Sequence, residues 1–128
     1  MIDQTLIILV TRLITEFSSD FKTFYNRIVD DMHRYRDKRA FEIDYTMQNT
    51  FDVSCVPWIN YSSCDLHVYD SGSYLAPVIT WGKYTEKNGK HEMPLTMQIH
   101  HAVADGFHIG RFFNDIRSAI LALIETLR

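Results

Sequence analysis

Between Leu95 and Asp105 the chain changes its period, and that change constrains the fold more than any other feature. Leu95-Thr96-Met97-Gln98-Ile99-His100 alternates apolar and polar residues, the signature of a strand with one buried face. On that count His101 shares a face with Leu95, Met97 and Ile99. Asp105-Gly106 then breaks the alternation, and Phe112, Phe113, Ile116, Ile120, Leu123, Ile124 and Leu127 recur at helical spacing. A histidine therefore stands where a strand ends, an aspartate follows in the turn, and a helix runs from near His108 to Arg128, its apolar stripe facing inward.

Two imidazoles and a carboxylate fall within the six residues His100–Asp105. Histidine takes and returns a proton near neutral pH, its ordinary pKa being about 6.5. A strand end holds such a group rigidly and leaves it open to a substrate. Spacing alone leaves a second reading open, in which the histidines are half-buried structural residues and Asp105 caps the next helix. A metal site from His100, His101, Asp105 and His108 is not expected. Neighbouring strand residues point to opposite faces, so His100 and His101 cannot easily share an ion.

The surrounding chain reads as one domain, residues 1–128, long enough to bury a core. A net charge of −3 offers no basic patch, so nucleic acid is not an expected partner. The apolar run in Met1–Val10 is too short to span a bilayer and reads as a strand or buried helical turn. Cys55 and Cys64 form no C-x-x-C and read as reduced, buried thiols of a cytoplasmic protein.

From Ser18 to about Lys38 the pattern predicts an amphipathic helix capped by Ser18 or Ser19, with Phe21, Phe24, Tyr25, Ile28, Met32 and Tyr35 as a core stripe. Arg36–Arg39 reads as a solvated helix end, and residues 40–50 as a connection. Thr50–Val56 alternates as a strand stopped by Pro57-Trp58, and Ser62–Val68 resumes an extended pattern before a loop at Ser71-Gly72-Ser73. Strands over Pro77–Tyr84 and Met93–His101 are joined through Lys87-Asn88-Gly89-Lys90, where Asn-Gly is a strong hairpin signal. Strands in the middle with helices early and late predict an α/β chain of the α+β, two-layer type. Its sheet is mixed or mostly antiparallel and is covered by helices on one face.

The stretch Gln98-Ile99-His100-His101-Ala102-Val103-Ala104-Asp105-Gly106-Phe107-His108 resembles the active-site signature of chloramphenicol acetyltransferases. Its core, His-His-x-x-x-Asp-Gly, recurs among CoA-dependent acyltransferases, and the longer form is more specific. Val56-Pro57-Trp58-Ile59-Asn60-Tyr61-Ser62-Ser63 and Tyr74–Tyr84 agree in order and spacing. The resemblance begins near Ile14 and covers most of the chain from there. A long N-terminal half of the family precedes that point, so the resemblance implies a truncated chain.

The resemblance implies acetyl transfer from acetyl-CoA to a hydroxyl of chloramphenicol, without an acetyl-enzyme and without a metal. His101 matches the general base that deprotonates the hydroxyl, and His100 a supporting position. Ser63 matches the serine that donates to the oxyanion. Thr80 matches a threonine that reaches the transition state through water, and Lys83 and Tyr84 match positions lining the CoA site. Asp105 matches an architectural aspartate paired with an arginine near the N-terminus, and the only early arginine here is Arg12. Breaking a buried pair of that kind costs about 3–5 kcal/mol. The resemblance also implies a homotrimer with active sites between subunits. Two alternatives share the motif: an inactive remnant of such an enzyme, and a CoA-dependent acyltransferase with another acceptor.

Overall fold

The computed structural model describes residues 13–36, 50–66 and 72–128. They belong to two compact units, Met1–Gln48 and Asn49–Arg128. The expectations for Met1–Val10, Arg12, residues 37–49 and residues 67–71 lie outside the described residues.

In the first unit, α1 spans Phe21–Tyr35. Its cap is Asp20, whose carboxylate accepts the Thr23 N–H at 2.8 Å, while Ser18 Oγ accepts the Asp20 N–H at 3.3 Å. The cap is thus two residues later than Ser18, because Asp20 holds the extended backbone an N-cap requires. The preceding segment folds back on the helix. Thr15 Oγ1 donates to Asp31 at 2.8 Å, and Arg27 Nη1 donates to the carbonyls of Glu16 and Phe17. Phe17 meets Phe24 edge to face with ring centroids 5.4 Å apart. The predicted core stripe is only partly covered: Phe24, Ile28 and Tyr35 are half-buried, whereas Phe21, Tyr25 and Met32 are exposed. The fold-back shields one flank of the stripe, and no described residue of this unit covers the other.

In the second unit, β1 (Asp52–Val56), β2 (Val78–Gly82) and β5 (Leu95–Gln98) form a mixed sheet in the order β1-β2-β5. β1 runs parallel to β2, pairing Ser54 with Thr80 and Val56 with Gly82. β2 and β5 are antiparallel, pairing Val78 with Gln98 and Thr80 with Thr96. The predicted hairpin forms, but its turn closes a separate two-stranded ladder, β3 (Thr85–Lys87) with β4 (Lys90–Glu92). Asn88 (φ 53°) and Gly89 (φ 73°) supply the two positive-φ positions a two-residue hairpin loop demands. The extended segment expected over Ser62–Val68 forms no strand in its described part, Ser62–Leu66.

A fold-back of residues 57–66 gives this unit its shape. Val56-Pro57-Trp58-Ile59 is a turn closed by Ile59 N–H donating to the Val56 carbonyl at 3.2 Å. The chain then runs back along the sheet. The Ile59 carbonyl accepts Lys83 N–H at 2.7 Å, the Tyr61 hydroxyl donates to the Thr80 carbonyl at 2.8 Å, and Leu66 meets Gln98. Strand alternation puts Gly82, Thr80, Thr96 and Gln98 on the face that this segment crosses. Gly82 permits the approach: a Cβ there would lie 2.5 Å from the Ile59 carbonyl oxygen, 2.8 Å from Pro94 Cγ and 2.9 Å from the Tyr61 ring.

α2 spans Gly106–Leu127. Its stripe is partly covered, with Phe112, Ile116 and Leu123 half-buried and Phe113, Ile120, Ile124 and Leu127 exposed. It makes no more than marginal contact with the strands, so the inward-facing stripe expected from spacing is not formed by the described residues. Nor are the cysteines buried thiols: Cys55 is exposed on edge strand β1 and Cys64 is half-buried, both free. No described apolar side chain is fully buried, and the buried polar residue is Thr80, at 3% exposure.

The crowding at Gly82 predicts that Gly82→Ala destabilises the second unit by about 1–3 kcal/mol, since a rigid carbonyl must shift to admit the methyl. Gly110→Ala, which adds a methyl into open space on α2, should instead stabilise by about 0.5–1 kcal/mol. Urea unfolding midpoints of the two variants, moving in opposite directions, check both signs.

Candidate active site

The turn after β5 fixes the two histidines through the backbone. β5 ends at Gln98, and the Val103 and Ala104 N–H groups both turn back to the His100 carbonyl, at 2.9 and 3.4 Å. The extended geometry therefore stops before His101. The face assigned to His101 by alternation is corrected accordingly: its direction is set by the turn and not by strand parity.

Within the turn the two rings are held in opposite senses. His101 Nδ1 lies 3.1 Å from the Ala104 carbonyl oxygen. A carbonyl only accepts, so Nδ1 carries the proton and the Nε2 lone pair is left for chemistry. His100 Nδ1 instead accepts the Ala102 N–H at 3.1 Å, which puts the proton of its neutral form on Nε2. Both rings are exposed.

Asp105 closes the turn as the N-cap of α2, accepting the Phe107 and His108 N–H groups at 3.0 and 3.2 Å. This is the capping reading that spacing leaves open. His108 Nδ1 lies 2.7 Å from the same carboxylate oxygen and 3.4 Å from the Asp105 N–H. One nitrogen cannot donate to the first and accept from the second at once. The shorter, charge-assisted contact prevails, so His108 donates to Asp105. The His108 backbone N–H, then its ring, hold the Asp105 carboxyl below its ordinary value of 3.8.

The serine and threonine candidates sit where the fold-back crosses the sheet. Thr80 is at the centre of β2, paired with Ser54 and Thr96. Above it lies the Tyr61 hydroxyl, which donates to the Thr80 carbonyl and accepts from Thr96 Oγ1 at 3.2 Å. Ser63 is exposed between Tyr61 and Leu66, two anchored residues. At Leu66 the Gln98 side chain meets both backbone groups: Oε1 accepts the N–H at 3.0 Å and Nε2 donates to the carbonyl at 2.8 Å. The Ser63 segment is thereby bound to the strand end that leads, three residues on, to His101.

Lys83 and Tyr84 lie at the opposite end. The Lys83 carbonyl accepts Asn60 Nδ2 at 3.3 Å, and the Tyr84 ring is 5.7 Å from that of His91 on the β3–β4 hairpin. Gly82 is joined to Pro94, and Gln98 lies four residues further along β5. At about 3.4 Å per residue that puts roughly 14 Å between the two ends. The fold-back thus ties the Ser63 segment to the strand end next to the histidine turn, crosses Thr80 midway, and leaves Lys83 and Tyr84 at the other end. Tyr61 and Gln98, which do the anchoring, stand inside the sequence blocks with no role that spacing assigns. Among the described residues no group of three or more His, Cys, Asp or Glu side chains could hold a metal ion.

The family model for chloramphenicol acetyltransferase matches residues 6–117. The chain is 40% identical over 103 residues to a chloramphenicol acetyltransferase of Clostridium perfringens, covering 79% of this chain and 47% of that protein. It is 36% identical over 114 residues to one of Clostridium butyricum, covering 88% and 52% respectively. A solved chloramphenicol acetyltransferase superposes with a TM-score of 0.63 at 22% identity, covering 80% of this chain and 50% of that one. The chain belongs to the chloramphenicol acetyltransferase family, and the two helices and mixed sheet among its described residues are consistent with the α/β class. It spans about half the length of the curated relatives it matches.

A lowered carboxyl pKa in the folded state means that the stabilisation from Asp105 is complete above about pH 3.8 and is lost as pH falls through the lowered value. Asp105→Asn keeps the capping oxygen and removes the titration. Far-UV circular dichroism from about pH 7 to about pH 2 should show less acid loss of helix in Asp105→Asn than in the parent chain.

Proposed function

We propose that the protein transfers the acetyl group of acetyl-CoA to a hydroxyl of chloramphenicol, with His101 as general base. The observation that carries this reading is the hydrogen bond from His101 Nδ1 to the Ala104 carbonyl, which leaves Nε2 free as an acceptor. An alcohol is a weak nucleophile at neutral pH, so a base must take its proton as it attacks. Nε2 accepts that proton while the hydroxyl oxygen bonds to the thioester carbonyl carbon. The carbonyl oxygen takes up the negative charge, and the Ser63 hydroxyl donates to it. Collapse of the intermediate breaks the carbon–sulfur bond, and the proton held by His101 passes to the departing CoA thiolate. Thr80 acts through a bound water. Lys83 offers an ammonium and Tyr84 a ring face to CoA, whose extended shape suits their distance from the histidine turn.

Asp105 is architectural in this reading: it starts α2 and so fixes the end of the His101 turn. Both units form one two-layer acyltransferase domain, because the family match runs across the division between them. Exposed apolar residues on α2, among them Ile120, Leu121, Ile124 and Leu127, support assembly into a homotrimer with the active site at the contact. Acetyl-CoA as donor and the two free cysteines fit a cytoplasmic protein. No helix among the described residues is long and apolar enough to cross a membrane.

CoA thiol release from acetyl-CoA, with and without chloramphenicol, tests the reading. Release should depend on chloramphenicol, fall by roughly 10²–10⁴-fold in His101→Ala and by about 10²–10³-fold in Ser63→Ala. Release that persists unchanged in His101→Ala sinks the assignment of the base. Acetyl-CoA binding without chloramphenicol turnover moves the reading to another acceptor, and a folded chain with neither property is an inactive relative.

A further inference from the structure

We propose that Gln98 is a positioning residue for acetyl transfer, clamping Leu66 so that the Ser63 segment keeps one place on the sheet face, from which its hydroxyl meets the oxyanion. The inference rests on the acetyl-transfer reading above, but the clamp itself is geometric. One side-chain amide engages both backbone groups of a single residue, accepting the Leu66 N–H at 3.0 Å and donating to the Leu66 carbonyl at 2.8 Å. Two antiparallel bonds of this kind fix the segment's rotation as well as its distance, as a strand pair does.

The segment needs such a device. Residues 62–66 belong to no strand, so no ladder sets their position. Their upstream anchor is Tyr61, bonded to Thr80 and Thr96, and Ser63 lies between that anchor and Leu66. Gln98 is the last residue of β5, so the amide that holds the serine segment is borne by the element from which the histidine turn departs. The clamp is exposed and therefore adds little to global stability, whereas misplacing a reacting group by about 1 Å can cost about 10²-fold in rate. Its effect belongs in kcat rather than in folding.

Amide hydrogen exchange and turnover, measured on the full chain and on Gln98→Leu, separate the parts of this inference. The Leu66 amide should exchange at least about 10-fold faster in Gln98→Leu, while the Thr80 and Thr96 amides keep their protection and report an intact sheet. Gln98→Glu should fall between Gln98→Leu and the parent at neutral pH, because its carboxylate still accepts the Leu66 N–H but cannot donate to the Leu66 carbonyl. It should regain Leu66 protection as pH falls through the glutamate range, when the protonated acid again offers one donor and one acceptor. Turnover in Gln98→Leu should fall about 10–100-fold in kcat with the KM for acetyl-CoA unchanged. Combined with Ser63→Ala it should add nothing further, since both changes act through the same hydroxyl.

Unchanged Leu66 protection in Gln98→Leu overturns the clamp whatever the turnover shows. Leu66 released with kcat unchanged, or with effects that multiply those of Ser63→Ala, overturns the positioning role. If the parent chain transfers no acetyl group while its Leu66 protection depends on Gln98, the acetyl-transfer reading has failed and the positioning role fails with it, and the clamp alone stands.

Discussion

The contact on which the second unit depends is the approach of the Ile59 carbonyl to Gly82. With a hydrogen in place of a Cβ, Gly82 lets the chain leaving β1 turn at Pro57-Trp58 and lie across the sheet rather than beside it. The Lys83 N–H then bonds Ile59, the Tyr61 hydroxyl reaches Thr80 and Thr96, and Leu66 arrives at Gln98. Each contact presupposes the one before. The result is an irregular segment held at three points along one sheet face, and the candidate serine falls between the last two. Precise placement of a loop residue is obtained here from backbone and amide hydrogen bonds, with little burial to assist it.

The histidine turn follows the same logic with different parts. Chain reversal begins when the His100 carbonyl collects two N–H groups, and it ends when Asp105 takes the first free N–H groups of α2. Between those points the Ala104 carbonyl decides which nitrogen of His101 carries the proton. Asp105 thus influences the His101 ring at a distance: the helix start it fixes bears on where Ala104 sits. A carboxylate placed as a cap can serve the site without touching it.

Features set by near neighbours are legible in the residue pattern alone. Asn88-Gly89 announces the hairpin, the alternation through Thr96 and Gln98 announces β5, and the switch of period at Asp105-Gly106 announces α2, because each rests on neighbours within a few residues. The alternation misleads at His101, since it assumes that a strand continues, whereas the turn has already begun at His100. Residue type puts the cap of α1 at Ser18 or Ser19 although Asp20 holds it, a choice between adjacent polar residues that only backbone angle decides. What sequence does not supply are the contacts of long range. Gly82 with Ile59, Tyr61 with Thr96, and Gln98 with Leu66 join residues 23 to 35 positions apart, and no periodicity connects them. The family motif points to His101 and Ser63 without saying what holds them in place.

On the proposed reading, the chemistry divides between chain and assembly. Orientation is supplied within the chain, through the three anchors and the Ala104 carbonyl. Exclusion of water is not: His101 and Ser63 are exposed, and so are Trp58, Val103 and Phe107, close to them in the chain. Proton transfer and an oxyanion contact gain strength only when water is removed and the local dielectric falls. Apolar side chains left open beside polar groups already fixed in direction are what a site closed by a neighbouring subunit requires. On the proposed reading, assembly both brings the site's groups together and dries them, while each chain fixes the directions of its own His101 ring and Ser63 segment.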